Sequence, residues 1–162
     1  LGYTNLGYHG NTDMYGRYAS HTNLGYTWKQ YQTGLQLEMN SDGSNYLWPQ
    51  RDKYVIDASV DDYINSDTPF NIYYLTISGH MPYSNNRIVA PYREIVRQLP
   101  HSETTQNYIA TAMEVDKALE TLLEDMDGIM EKSRQVTRSD WEHRPLLHRV
   151  LGGLLRPFAM WM

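Results

Sequence analysis

Phe70-Asn71-Ile72-Tyr73-Tyr74-Leu75-Thr76-Ile77, flanked by Pro69 and by Ser78-Gly79, reads as a buried β-strand. The run is short, β-branched and aromatic, and it is bounded by turn residues on both sides. Taken as apolar on both faces, it suits a parallel strand covered by helices on either side. In open α/β sheets, ligands sit just beyond the carboxyl ends of the strands. His80 stands at such a point, after a glycine that lets the backbone turn sharply. The start of the chain repeats the arrangement, with Leu6-Gly7-Tyr8 leading into His9-Gly10-Asn11. Two strand-to-histidine transitions point to a site at one end of a sheet.

Working outward, residues 1–9 read as a short strand and residues 10–47 as a long polar loop with one helical turn. Loops of that length in a compact domain are functional or disordered, and seven Tyr and Trp residues between 15 and 48 favour the ordered case. Thr4-Asn5-Leu6-Gly7-Tyr8 recurs as Thr22-Asn23-Leu24-Gly25-Tyr26, but nothing else repeats at that period, so no repeat architecture follows. Asp52 is a fair N-cap for a helix to about Asn65, with Ile56, Val60, Tyr63 and Ile64 on one face. Residues 79–101 read as a second polar loop with a short helix near Tyr92–Gln98. Ile109, Ala112, Met113, Leu119, Leu122, Leu123 and Met126 then mark a long amphipathic helix from Ser102, with Gly128 as its stop. The order strand, helix, strand, helix gives an α/β fold with a mainly parallel sheet flanked by helices.

The 162 residues suffice for one domain with a sizeable core, and 41% hydrophobic with 20% charged is a globular composition. Tyrosine outnumbers phenylalanine 14 to 2, which suits half-buried surfaces and polar clefts. The absence of cysteine excludes disulfides, thiolate metal sites and thiol nucleophiles. No apolar run approaches the roughly 18 residues of a membrane span. The chain begins with Leu1, nearly inside a strand, and reads as a piece of a longer protein. Its charge is split. Residues 1–131 carry a net of −9 and residues 132–162 a net of +4. The acidic body argues against nucleic-acid binding, which needs a basic face. Residues 132–162, basic and apolar, read as a separate tail, poorly ordered or out of frame.

His9, Asn11, Tyr15 and Arg17 form a compact polar constellation. Imidazole can donate to an anionic oxygen or move a proton, and guanidinium offers a fixed fork of donors matched to phosphate or sulfate. Tyr15 can pack on a small polyol. Together with His80 they suit an oxyanion ester. The plainer alternative is a capped loop, with His9 and Asn11 bonded to backbone and Arg17 paired with Asp13. His21 and His101 read as structural or solvated, and Glu114, Asp116 and Lys117 as surface charges. Metal-binding spacings, a phosphate loop and a nucleophile elbow are all missing.

The segments GYTNLGYHGNTDMYGRYASHTNLGY, WPQRDKYVIDASVDDYI, FNIYYLTISGHMPYS and YIATAMEVDKALETLLEDM occur in an order that resembles one family. It is the sulfatase-type phosphoglycerol transferases of bacterial envelopes, the group that includes lipoteichoic acid synthase, and the match spans residues 1–131. The resemblance implies a partial alkaline-phosphatase-like domain, held on the extracellular face of the cell membrane by a spanning region outside this chain. It further implies a metal-activated threonine that takes glycerol phosphate from a phosphatidylglycerol-type lipid and passes it to a polyol-phosphate polymer or glycan. The divalent metal, manganese in typical members, would act as a Lewis acid. His9, Tyr15 and Arg17 match the residues lining the glycerol phosphate pocket, with Asn11 in support and Tyr15 where tryptophan is common. His80 matches the phosphate-contacting histidine after the central strand. The family's threonine nucleophile and its Asp-His metal pair have no counterpart in the chain, so no catalytic residue and no metal ligand are assigned. The isolated chain is therefore expected to be inactive. A sulfatase or phosphoethanolamine transferase of the same superfamily, or a non-catalytic binder of glycan or polyol phosphate, remains open.

Overall fold

A computed structural model describes residues 2–31, 33–36, 38–133 and 137–143. The chain divides into two compact units, Leu1–Ile129 and Met130–Met162. The first holds a four-stranded parallel sheet in the order β3-β2-β1-β4. Its strands are β1 (Thr4–His9), β2 (Thr27–Tyr31), β3 (Gly34–Leu35) and β4 (Phe70–Leu75). Helix α1 (Arg17–Asn23) links β1 to β2, and α2 (Asp52–Asp57) precedes β4. After β4 come α3 (Ala90–Val96) and the 30-residue α4 (Glu103–Lys132).

The expected α/β architecture is present, with four local differences. First, β2 and β3 lie inside the stretch read as loop, where the five residues Thr27–Tyr31 are too few for a clear period. Second, the helix opening at Asp52 stops at Asp57 and resumes only as a 3-10 turn, Val60–Asp62. Third, α4 runs straight through Gly128, whose missing side chain leaves its hydrogen-bond ladder intact. Fourth, β4 is not apolar on both faces. Its burial alternates, with Asn71 and Tyr73 exposed.

That alternation has a physical reason in tyrosine's two ends. On the core face, Leu6 and Tyr8 of β1 stand in register with Ile72 and Tyr74 of β4. They pack with Leu35, Val55 and Tyr63 into the main core, each large apolar side chain contributing about 1.5–3 kcal/mol. The Tyr8 and Tyr74 rings stack at 5.3 Å. Every buried phenol is satisfied. Tyr8 donates to Asp62 at 2.6 Å, Tyr74 bonds Ser59 at 2.6 Å, and Tyr63 reaches Asp125 on α4 at 3.0 Å. A second cluster of Ile88, Val89, Val96 and Ala110 seats α3 against α4.

In the second unit the described residues include α5 (Arg138–Glu142), with an Arg138–Glu142 ion pair at 2.8 Å. The reading of residues 132–162 as poorly ordered or out of frame falls largely outside the described residues. Among them, no helix is long and apolar enough to cross a membrane.

Candidate functional site

The strands β1 and β4 run side by side, and His9 stands opposite Leu75 at their carboxyl ends. Only glycine fits after His9. A Cβ on Gly10 would meet Val55, Gln50 and Ile77 at 2.9, 3.0 and 3.1 Å. His9 is 1% exposed, and its Nδ1 lies 3.1 Å from the Leu75 carbonyl. A carbonyl only accepts, so Nδ1 carries the proton and Nε2 presents a lone pair. That Nε2 is buried and has no partner. Burial lowers the His9 pKa and Arg17 adds to the effect, while the Leu75 bond opposes it. His9 is thus neutral at pH 7, and its free nitrogen accepts a hydrogen bond from a hydroxyl or takes up a proton when an anion arrives.

The loop beyond His9 braces itself. Buried Asn11 donates to the Met14 sulfur at 2.7 Å and accepts from the Tyr46 hydroxyl at 3.4 Å. Tyr15 and Gly16 follow in left-handed conformations, φ 58° and 64°; glycine adopts this freely, whereas at Tyr15 it is a strain that surrounding contacts must hold. Arg17 does not pair with Asp13, whose carboxylate instead accepts the Tyr18 amide at 3.0 Å. Its guanidinium lies 5.5 Å from the Tyr15 ring, a cation–π contact. Tyr15 is 85% exposed, so it supports Arg17 from outside and lines no enclosed pocket.

The β4 exit is gripped from both sides. Asp52, read from sequence as an N-cap, is the first residue of α2 and is 3% exposed. It accepts the Ile77 amide at 2.8 Å, the Ser78 amide at 3.0 Å and the Ser78 hydroxyl. Asn86 donates to the Ser78 carbonyl at 2.8 Å. Burial raises the Asp52 pKa, and its three donors only partly offset this. Two residues on, His80 is exposed, turned onto the Met81 carbonyl at 2.5 Å and edge-on to Trp48 at 5.5 Å. An open cleft of about 700 Å³ adjoins it, lined by Met81, Pro82, Tyr83, Glu103 and Asn107 among others.

The structure thus collects His9, Asn11 and Arg17 in one loop and sets His80 at the exit of the neighbouring strand. Among the described residues, no hydrogen bond or ring contact joins His80 to the other three. Sequence reasoning missed Asp52 as a brace and misjudged Glu114. That residue is 3% exposed, accepts from Tyr92 at 3.0 Å, and has its pKa raised by burial. The signal was available, since Ala110, Glu114 and Ala118 fall on one stripe of α4. Among the described residues, no group of three or more His, Asp or Glu could hold a metal ion.

A search of curated proteins finds no match. Among solved structures, the chain resembles the lipoteichoic acid synthase LtaP from Listeria monocytogenes, with a TM-score of 0.55 and 16% sequence identity. That alignment covers 90% of this chain and 37% of LtaP, so the chain spans well under half of its structural relative. The Sulfatase family model matches residues 1–134. This match over most of its length shows that the chain belongs to the sulfatase family.

Proposed function

We propose that the chain is the substrate-binding portion of an envelope phosphoglycerol transferase, with His9, Arg17 and His80 contacting glycerol phosphate, Asn11 in support and Tyr15 backing Arg17 at the rim. The buried, unpartnered Nε2 of His9 within electrostatic reach of Arg17 carries this reading. Arg17 offers paired donors to phosphate oxygens. Neutral His9 accepts from a glycerol hydroxyl or a phosphate O–H. The cleft beside His80 has room for the organic part of an ester. The donor in this reading is a phosphatidylglycerol-type lipid and the acceptor a polyol-phosphate polymer. The parent would act at the extracellular face of the cell membrane. Sulfatase-family enzymes are generally metal-dependent; manganese, expected of the parent, has no ligand set among the described residues, nor is a threonine nucleophile assigned here.

Titration calorimetry with glycerol 1-phosphate tests the reading. Saturable binding is expected, weakened about tenfold or more in Arg17→Ala by the loss of charge-assisted bonds. Affinity should rise as pH falls from about 8 to 6, because the bound dianion draws a proton onto His9 Nε2. Tighter binding of sulfate or phosphoethanolamine would move the assignment to another branch of the family. No binding of any of the three, or an affinity indifferent to Arg17→Ala, would overturn it. The isolated chain should not turn over a phosphatidylglycerol analogue, with or without manganese.

A further inference from the structure

We infer that His21 is the positioning residue that holds α1, and with it Arg17, against the sheet; its functional weight rests on the anion-binding reading of Arg17 above. Helix α1 has seven residues and buries none of them. Only Arg17 and His21 are even half-covered. A helix this short is not stable by itself in water and needs tertiary contacts. It also begins directly after the two left-handed residues Tyr15 and Gly16, so it inherits a strained entry.

The ring contacts that join α1 to the sheet run through His21. Its imidazole lies against both Trp28 of β2, at 4.3 Å, and Tyr73 of β4, at 5.4 Å and nearly parallel, and those two rings are themselves 6.0 Å apart. Tyr26 meets it edge-on at 5.9 Å. At the same time its Nδ1 lies 2.9 Å from the carbonyl of Arg17. The carbonyl accepts, so the same side chain grips the sheet with its ring and the Arg17 peptide with its N–H. The Tyr26 amide closes the arrangement by donating to the His21 carbonyl at 3.0 Å. By contrast, the Arg17 amide and the Tyr18 amide bond Met14 and Asp13, which belong to the same loop rather than to a strand. The slot exists because Gly7 leaves space for the Trp28 ring. On the same sheet face Trp28 and Gln30 are buried, while Tyr73 remains 40% exposed at its edge.

Backbone relaxation and amide exchange on the ¹⁵N-labelled chain test this with three variants. His21→Ala and His21→Asn remove the ring, and Asn retains an N–H donor. Both should loosen residues 15–23 and speed their amide exchange roughly tenfold, as local opening becomes easier. His21→Phe keeps an aromatic plate in the slot and should restore the order of α1. Unchanged α1 dynamics in His21→Ala and His21→Asn would overturn the proposal. So would a failure of Phe to do better than Asn, which also decides the matter should His21→Ala not fold.

A glycerol 1-phosphate titration then separates the anchoring of α1 by His21 from anion binding at Arg17. His21→Ala should weaken binding about tenfold in the native background and add nothing in an Arg17→Ala background, as expected for a residue acting through Arg17. Equal losses in both backgrounds would overturn the link between them. If the unmodified chain binds no glycerol phosphate, the anion reading fails, and the relaxation data still decide whether His21 anchors α1.

Discussion

Asp52→Ala should cost about 3–5 kcal/mol of stability, the range seen when a buried charged network loses one partner. The carboxylate is the acceptor for the Ile77 amide, the Ser78 amide and the Ser78 hydroxyl, all buried. Alanine leaves these donors facing an apolar gap, and each unmet buried donor costs about 1–3 kcal/mol. Asp52→Asn should fall between, because one amide oxygen remains to accept while the NH₂ group opposes a donor. Urea unfolding with an unchanged slope measures the loss. A drop below about 1 kcal/mol would show that the β4 exit is held elsewhere. The pH dependence carries a signature of its own. Burial raises the folded-state pKa of Asp52 above its ordinary 3.8. The folded state therefore binds that proton more tightly than the unfolded one. Its contribution is greatest below 3.8 and weakens as pH rises through the folded pKa. Asp52→Asn should remove this decline, and Glu114, raised by burial in the same direction, should account for part of what remains.

Gly7→Ala is expected to destabilise the sheet by about 3 kcal/mol, the upper part of the range for overpacking a rigid core. A Cβ there would lie 2.4 Å from Cε3 and 2.8 Å from Cζ3 of Trp28. The indole cannot swing aside cheaply. It is 3% exposed, its N–H donates to Gln30 at 2.7 Å, and His21 covers its face. Shortening the neighbour should relieve the clash, so Trp28→Leu added to Gly7→Ala should cost less than the sum of the single changes. Thermal unfolding of the four-member cycle measures this coupling. Strict additivity would place the Trp28 ring away from Gly7.

Several of these features were legible in the sequence for clear reasons. The FNIYYLTI run and the spacing of Ile109, Met113 and Leu122 carry strong local signals, and they yielded β4, α4 and the α/β class. His80 is legible because a histidine after a strand and a glycine is a positional signal, and His9 because it closes a short strand just ahead of Gly10. Other features depend on distant partners. The strand β2 is recognisable only through its pairing with β1, Leu6 opposite Thr27 and Tyr8 opposite Lys29. Asp52 looked like an N-cap because local sequence does not reveal that Ile77 and Ser78 return to it from 25 residues away. His21, which reads as structural or solvated, is structural, and its aromatic partners escape local reading because they come from two strands far apart in the chain. Tyr15 was expected inside a pocket, and its left-handed backbone instead turns it outward beneath Arg17.

In the proposed function the β1 and β4 exits form one anion site, although among the described residues no direct contact links His9 to His80. Histidine-selective NMR during a glycerol 1-phosphate titration addresses it directly. The ring resonances of His9 and His80 should shift together, with one dissociation constant, while His101 stays still. Shifts at His9 alone, two unrelated constants, or no shift at either ring would contradict it.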